Sequence, residues 1–100
     1  MDNRVKKLGI TFEWDEKKAR INLAKHRISF ENATTVFKDM YSITIYDELN
    51  SKNEDRYVTI GLATTAQVLV VCHTDRGNRI RIISARKATS KEKRQYEKRI

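Results

Sequence analysis

Four arginines lie within or beside the second half of one stretch rich in β-branched residues, residues 68–87; they are Arg76, Arg79, Arg81 and Arg86. Guanidinium groups bind phosphate oxygens through paired hydrogen bonds and can stabilise charge that develops on a phosphorane. Elsewhere in the chain, Lys25, His26 and Tyr96 have side chains that can transfer protons. This set of residues can support metal-free cleavage of RNA through its own 2′-hydroxyl. Arg81 and Arg86 are the charge-stabilising candidates.

Each of these candidates also has a structural interpretation. His26 falls at the end of a predicted helix, where the helix dipole favours a cation. Tyr96 is one of two large apolar groups in the last predicted helix, with Ile100, and can dock that helix onto the sheet. Arg86 can form a salt bridge with Glu92 or with Glu13. The sequence leaves these alternatives open.

Other chemistry is poorly supported, and we predict no cofactor and no metal site. Cys72, His73 and His26 have no zinc-ligand spacing. Cys72 and His73 are neighbours on a predicted strand, so they point to opposite faces and cannot form a nucleophile pair. Three scattered glycines exclude the phosphate-binding and dinucleotide-binding glycine patterns.

The whole chain has a net charge of +8, and most of this positive charge lies in its second half. Residues 1–50 carry nine Lys or Arg against eight Asp or Glu, whereas residues 51–100 carry twelve against five. This asymmetry predicts a polyanionic partner, either nucleic acid or an acidic protein. A solubilising surface is the alternative.

The totals predict a single domain over residues 1–100, with residues 1–9 as a flexible lead-in. The chain has no run of the ~18 apolar residues that a membrane span needs and no signal-peptide pattern. The only cysteine, Cys72, fits a reducing compartment. We therefore expect a cytoplasmic protein with no membrane contact.

The candidate residues are positioned by a predicted α+β fold in the order β-α-α-β-β-β-β-α. Residues 10–14 alternate as a strand, and Asp15 caps a helix over residues 16–26. On that helix Ala19, Leu23 and Ile21 are core candidates, while Lys18, Asn22 and Lys25 form a polar stripe. Ser29 caps a second helix over residues 30–37.

Four strands then follow with short connections, which predicts an antiparallel meander with both N-terminal helices on one face. They are residues 41–46 and 56–63, with Ile43, Ile45, Val58, Ile60 and Leu62 inward, and the two arms of a hairpin over residues 68–87. Thr89 and Glu92 form a capping box before a last helix over residues 90–99.

A hairpin turn at Arg76 and Gly77 would pair Cys72 with Arg81 and Val71 with Ile82. Leu69, Val71, Ile80 and Ile82 would then face the core. Arg79 and Arg81 would lie on the other face, within reach of a phosphate. A slip of one residue would bury both arginines, so the cost of burial favours this register.

The sequence resembles the BrnT toxin family over residues 10–97. In the first half the matching residues are Phe12, Glu13, Trp14, Asp15, Lys18, Asn22, Lys25, His26, Ser29, Phe30, Glu31, Val36, Phe37 and Asp39. In the second half they are Asp55, Arg56, Ile60, Gly61, Val70, Val71, the run Ile80-Arg81-Ile82-Ile83-Ser84-Ala85-Arg86, Ala88, Tyr96 and Glu97. Two positions depart from the family pattern: Arg27 stands where glycine is frequent, and Met40 where proline is frequent.

The resemblance implies a bacterial type II toxin with a RelE-like fold, an endoribonuclease that cleaves RNA without a metal and arrests translation. It also implies a BrnA-type antitoxin that neutralises the toxin, with operator DNA bound only through the complex. The catalytic candidates on matching positions are Lys25, His26, Arg81, Arg86 and Tyr96. The RNA-binding candidates are Lys18, Arg76, Arg79 and Lys87. The alternatives are a non-catalytic binding module and, less favoured because no helix-turn-helix pattern is visible, a DNA-binding repressor.

Overall fold

The computed structural model describes residues 1–7 and 9–99, and over these residues the fold is α+β, as predicted. The strands are β1 (Asp2–Lys7), β2 (Ile10–Asp15), β3 (Ile43–Tyr46), β4 (Arg56–Leu62), β5 (Val68–Arg76) and β6 (Arg79–Lys87). The helices are α1 (Glu16–His26), α2 (Phe30–Thr34) and α3 (Ser90–Glu97), with 3-10 turns at Thr35–Lys38 and Glu48–Asn50. The described strands form one mixed sheet in the order β1-β2-β6-β5-β4-β3. The predicted antiparallel meander from β3 to β6 is confirmed, and β2 joins it in parallel beside β6.

The predicted flexible lead-in is wrong for Asp2–Lys7, which forms the edge strand β1. This strand pairs antiparallel with β2, from Asp2 opposite Asp15 to Lys7 opposite Ile10. Its charged side chains do not give the alternating apolar pattern by which a strand is recognised in a sequence. An edge strand tolerates charged side chains because solvent reaches them, and it pairs through backbone groups. Val5 packs against the core.

Helices cover both faces of the sheet: the two N-terminal helices pack on one face, as predicted, and α3 packs on the other. Leu69 and Val71 pack in the main core, and Val70 packs in a second cluster with Ile60 and Tyr96. Because neighbouring strand residues point to opposite faces, the two clusters lie on opposite sides of the sheet. Residues of the α1–α2 connection and of α2 enter the main core, and α3 covers the other cluster through Tyr96.

Helix α1 has the predicted bounds, because both of its ends follow local rules. The Asp15 carboxylate accepts a hydrogen bond from the Lys18 N–H at 3.0 Å. At the other end Arg27 adopts the left-handed conformation, with φ of 62°, and its N–H donates to the Leu23 carbonyl at 2.9 Å. The helix therefore ends without the glycine that is common at such positions.

The face that α1 turns to the sheet differs from the predicted one: of the three core candidates, Ala19 packs against the main core and the other two do not. Ile21 and Leu23 are 56% and 48% exposed, whereas Asn22 in the polar stripe is only 6% exposed. The Asn22 amide nitrogen donates to the carbonyls of Ile28 and Ala85, and its oxygen accepts from the Ala85 N–H. The two bonds with Ala85 satisfy the edge of β6 beyond its pairing with β2, and the third satisfies a carbonyl of the α1–α2 connection, so a polar residue packs inward.

The hairpin of β5 and β6 is confirmed, but its turn lies one residue later than predicted. Arg76 pairs with Arg79, and Gly77, with φ of 64°, lies in the turn with Asn78. The predicted pairs of Cys72 with Arg81 and Val71 with Ile82 are therefore wrong. The paired residue of Arg81 is Thr74, and the register shifts between Cys72 and His73.

The remaining predicted elements are mostly confirmed. Thr89 and Glu92 form the reciprocal bonds of a capping box, but α3 ends at Glu97 rather than at Arg99. Ile45 and Leu62, predicted to face inward, are 52% and 42% exposed because they lie near the β3 edge of the sheet. Ile100 lies outside the described residues. None of the described helices is long and apolar enough to cross a membrane.

His73 is buried on the main-core face of the sheet, whereas its neighbour Thr74 shares the other face with its paired residue Arg81. It is 4% exposed, packs edge-on against Phe37 with ring centres 5.0 Å apart, and its Nε2 hydrogen-bonds the Thr59 hydroxyl at 2.7 Å. Burial lowers the pKa of His73 from 6.5 to about 4, while the nearby Asp75 carboxylate acts weakly in the other direction. The imidazole is therefore neutral in the folded protein at pH 7.

We expect His73 to make stability depend on pH between 6.5 and 4. Because its pKa is lower when folded, the unfolded chain takes up the proton first, and stability present above pH 6.5 is lost as the pH falls through 4. The shift corresponds to a loss of up to about 3 kcal/mol in the free energy of unfolding. Urea unfolding at pH 7, 6, 5 and 4 measures it.

The His73→Leu variant should show a flatter profile across this window, whereas His26→Gln, which alters the other histidine of the chain, should retain the parent's slope. Equal slopes for the parent and His73→Leu would contradict the assignment.

Candidate active site

One face of β6 carries three arginines because the strand contains a bulge. On the regular strand β5, Val70, Cys72 and Thr74 share a face, and their paired residues are Arg86, Ser84 and Arg81. Ile83 is the extra residue between the pairs on either side of the register shift. In a regular strand Arg81 and Arg86 would point to opposite faces, since one position is odd and the other even. The bulge brings both to the same face, together with Arg79 and Ser84.

Arg81 is held by two carboxylates from different strands. Its Nη1 donates to Glu13 Oε2 at 2.9 Å and to Asp2 Oδ2 at 3.1 Å, and its Nη2 donates to Asp2 Oδ1 at 3.1 Å. The hydrogen bond with Asp2 is the largest cause of a raised Arg81 pKa; burial acts against it, and the bond with Glu13 adds to it. The side chain of Arg81 is 19% exposed. The guanidinium is permanently charged and fixed in direction.

Glu13 is the centre of this group, and we call Asp2, Arg4, Glu13, Arg79 and Arg81 the arginine cluster. The Glu13 side chain is only 4% exposed and accepts from Arg79 Nε at 2.6 Å and from Arg81 at 2.9 Å. Arg4 Nε lies 3.4 Å from its Oε1. Burial acts to raise the Glu13 pKa, but the hydrogen bonds from Arg81 and Arg79 outweigh it, so the pKa is lowered.

Arg86 forms the salt bridge with Glu92 that the sequence offered as its structural role. Its Nη1 and Nη2 donate to the two Glu92 oxygens at 2.7 and 2.9 Å. This pairing is the largest cause of a Glu92 pKa lowered to about 2. Because Glu92 also closes the capping box, Arg86 connects the end of β6 to the start of α3.

A shallow depression of about 210 Å³ lies between α1 and the bulge of β6. Its lining includes the polar stripe of α1, together with His26 and the bulge residues; the lining residues are Lys18, Ile21, Asn22, Lys25, His26, Ile83 and Ser84. Lys18 and Lys25 are exposed and His26 is half-buried. Two lysines, a histidine and a serine therefore line one depression, which lies beside the strand that carries Arg81 and Arg86.

Tyr96 is placed by its burial in the second cluster. It is 3% exposed, contacts Ile60 and Val70, and its hydroxyl donates to Asp39 Oδ2. Burial, with the Asp39 hydrogen bond, raises the pKa of Tyr96 to about 12. Burial also acts to raise the Asp39 pKa, but hydrogen bonds from Tyr96 and from backbone N–H groups lower it overall. The Tyr96 side chain therefore holds α3 against the sheet.

The four RNA-binding candidates are dispersed. Lys18 lines the depression, and Arg79 belongs to the arginine cluster. Arg76, at the hairpin turn, pairs with Glu54 at 3.0 Å, and Lys87 is exposed at the end of β6. Among the described residues, no group of three or more His, Cys, Asp or Glu side chains is arranged to hold a metal ion.

Asp2, Asn22 and Ser84 lie in this region but are not among the sequence candidates for the site. Asp2 falls in the predicted lead-in, and only the pairing of β1 with β2 shows that it reaches Arg81. Asn22 belongs to the polar stripe of α1 and to the residues that match the family, but neither pattern predicts its bonds to Ala85. Ser84 belongs to the run that matches the family, and the only local signal of the bulge that places it in the depression is the adjacent apolar pair Ile82 and Ile83, which breaks the alternation.

Comparison with known proteins finds a matching family model and a similar solved structure. Residues 14–92 match the family model described as "Ribonuclease toxin, BrnT, of type II toxin-antitoxin system". No curated protein matches the sequence. Among solved structures, the crystal structure of the Brucella abortus ribonuclease toxin BrnT superposes with a TM-score of 0.61 at 22% identity, covering 77% of this chain and 94% of that one. The superposition establishes a similar fold.

Proposed function

The chain belongs to the BrnT family of ribonuclease toxins of type II toxin-antitoxin systems, and from this we propose that it is a metal-independent endoribonuclease that cleaves RNA and inhibits translation. The observation that supports this most directly is the depression where Lys25 and His26 meet the bulge of β6. It combines groups that can move protons with a strand that carries fixed arginines.

The proposed reaction uses the substrate's own 2′-hydroxyl. A base removes the proton from this hydroxyl, the oxygen attacks phosphorus, and the bond to the 5′-oxygen breaks as an acid protonates it. The products are a 2′,3′-cyclic phosphate and a 5′-hydroxyl. Imidazole and amine groups can transfer both protons, and arginine can stabilise the charged phosphorane.

We assign the proton-transfer roles to His26 and Lys25 and the charge-stabilising roles to Arg81 and Arg86. Lys18, Arg76, Arg79 and Lys87 would contact backbone phosphates of a longer RNA, and such contacts make binding depend on salt. Tyr96, the third candidate for proton transfer, is better explained by docking, because it is buried and its pKa is about 12.

A type II toxin also requires an antitoxin, and we propose a BrnA-type partner that neutralises this chain in the cytoplasm. The excess of positive charge in residues 51–100 would favour an acidic binding surface on that partner. Operator DNA would be contacted only through the complex. The RelE-like character of the fold and the extent of the toxin domain over residues 1–100 stay predictions.

The test is cleavage of an end-labelled RNA by purified protein, with EDTA present and with Mg²⁺ present. We expect equal cleavage in both, and products that end in a cyclic phosphate. The Lys25→Ala/His26→Gln variant should lose about 100-fold or more in rate, because both proton-transfer groups are gone. Lys17→Ala, an exposed lysine of α1 outside the depression, should retain the parent's rate.

Salt-dependent RNA binding with no cleavage product would instead indicate a non-catalytic binding module. Cleavage that stops in EDTA and returns with Mg²⁺ would contradict metal independence while leaving the nuclease assignment in place.

A further inference from the structure

The arginine cluster contains a carboxylate in the position where a phosphate would be expected. Asp2 presents both of its oxygens to Arg81, one to Nη1 and one to Nη2, each at 3.1 Å. A phosphodiester presents its two non-bridging oxygens to a guanidinium in the same paired geometry. The carboxylate of Asp2 and a phosphate group of RNA are therefore competitors for one surface of Arg81.

The two carboxylates on Arg81 differ in how firmly they are held. The Glu13 side chain is 4% exposed and is shared with Arg79 and Arg4, so it cannot leave without exposing a buried group. The Asp2 side chain is 46% exposed, and it is carried by the edge strand β1. An ion pair with a partner this exposed contributes little to stability. An incoming anion would displace Asp2 and leave Glu13 in place.

The charges of the cluster support the same conclusion. Arg4, Arg79 and Arg81 face the two carboxylates of Glu13 and Asp2. When Asp2 is withdrawn, three guanidinium groups surround one buried carboxylate. The three guanidinium groups then carry more positive charge than Glu13 can balance. This excess lies on the face of the sheet to which Arg81 points, and Glu13 holds Arg81 there.

We propose that Arg81, with Arg79 and Arg4, forms a subsite for one phosphodiester group, and that Asp2 occupies this subsite in the free protein as a built-in competitor. The proposal rests on the proposed function, because it takes RNA as the ligand. Glu13 acts as the positioning residue that keeps the guanidinium of Arg81 in place when Asp2 leaves. Asp2 lies outside residues 14–92, so the family match does not account for this contact.

The test measures binding of a fluorescent 2′-O-methyl RNA, which lacks the attacking hydroxyl and cannot be cleaved. At one fixed salt concentration, Asp2→Asn should bind it about fivefold more tightly than the parent, the upper range for loss of one exposed ion pair. Glu48→Gln removes one exposed negative charge outside the arginine cluster and should change the affinity by less than about twofold. In the Arg81→Ala background, Asp2→Asn should add nothing.

Equal affinities for Asp2→Asn and Glu48→Gln would overturn the competitor role of Asp2, and so would a gain that persists without Arg81. The first comparison needs no Arg81 variant, so a poorly folded Arg81→Ala protein does not prevent a decision. In either case the parent would still cleave RNA, and the proposed function would stand. A parent protein that neither binds this RNA nor cleaves an unmodified one would overturn both proposals.

Discussion

Replacement of Arg81 with alanine is expected to lower the rate of RNA cleavage by at least about 100-fold, because a fixed cation facing the developing charge is lost. The protein should remain folded. The buried carboxylate of Glu13 would lose Arg81 but would keep its contacts with Arg79 Nε, at 2.6 Å from Oε1, and with Arg4 Nε, at 3.4 Å. We expect the loss in the free energy of unfolding to be about 1–2 kcal/mol. Single-turnover cleavage and urea unfolding of the same preparation measure the two effects.

Two variants control for charge and for position. Arg81→Lys keeps the positive charge but cannot offer two parallel N–H groups, so its cleavage rate should also be reduced, though less than that of Arg81→Ala. Arg20→Ala removes an exposed arginine of α1 that pairs only loosely with Glu16, at 3.8 Å. Its rate should equal the parent's. A folded Arg81→Ala protein with the parent's cleavage rate would show that Arg81 serves only the arginine cluster.

The parts of this fold that the sequence predicts well are those determined by neighbouring residues. Asp15 begins α1 because its side chain accepts a hydrogen bond from the backbone N–H three residues later. Thr89 and Glu92 begin α3 because the side chain of each accepts from the backbone N–H of the other. The hairpin follows from two β-branched runs around Gly77. Such signals lie within a few residues and do not depend on what packs against them.

The parts that the sequence does not predict depend on partners far along the chain. Strand β1 is recognisable only once β2 is available to pair with it, because its own residues are mostly charged. The bulge at Ile83 is a shift of register between β5 and β6. In the sequence it shows only as a break in the alternation, because Ile82 and Ile83 are both apolar and the polar positions move from 79 and 81 to 84 and 86. Since the bulge decides that Arg86 shares a face with Arg81, the geometry of the candidate site could not follow from alternation alone.

The inward position of Asn22 on α1 also depends on a distant partner, Ala85 of β6, and the sequence alone does not predict it. Asn22→Ala is expected to lower the free energy of unfolding by about 3 kcal/mol, because the Ala85 N–H and the carbonyls of Ala85 and Ile28 lose their partner in a buried position. Asn22→Asp keeps the acceptor for the Ala85 N–H but directs a second oxygen at the two carbonyls, so it should lose at least as much. Urea unfolding at pH 7 measures both.

The control is the residue that hydrophobic spacing places in the core. Ile21 is 56% exposed, so Ile21→Ala should cost less than about 1 kcal/mol. The reverse order, with Ile21→Ala more destabilising than Asn22→Ala, would mean that the apolar side of α1 faces the sheet and that the depression beside β6 does not exist. The stability of these two variants therefore tests the orientation of α1, on which the placement of Lys25 and His26 beside the arginine-bearing strand depends.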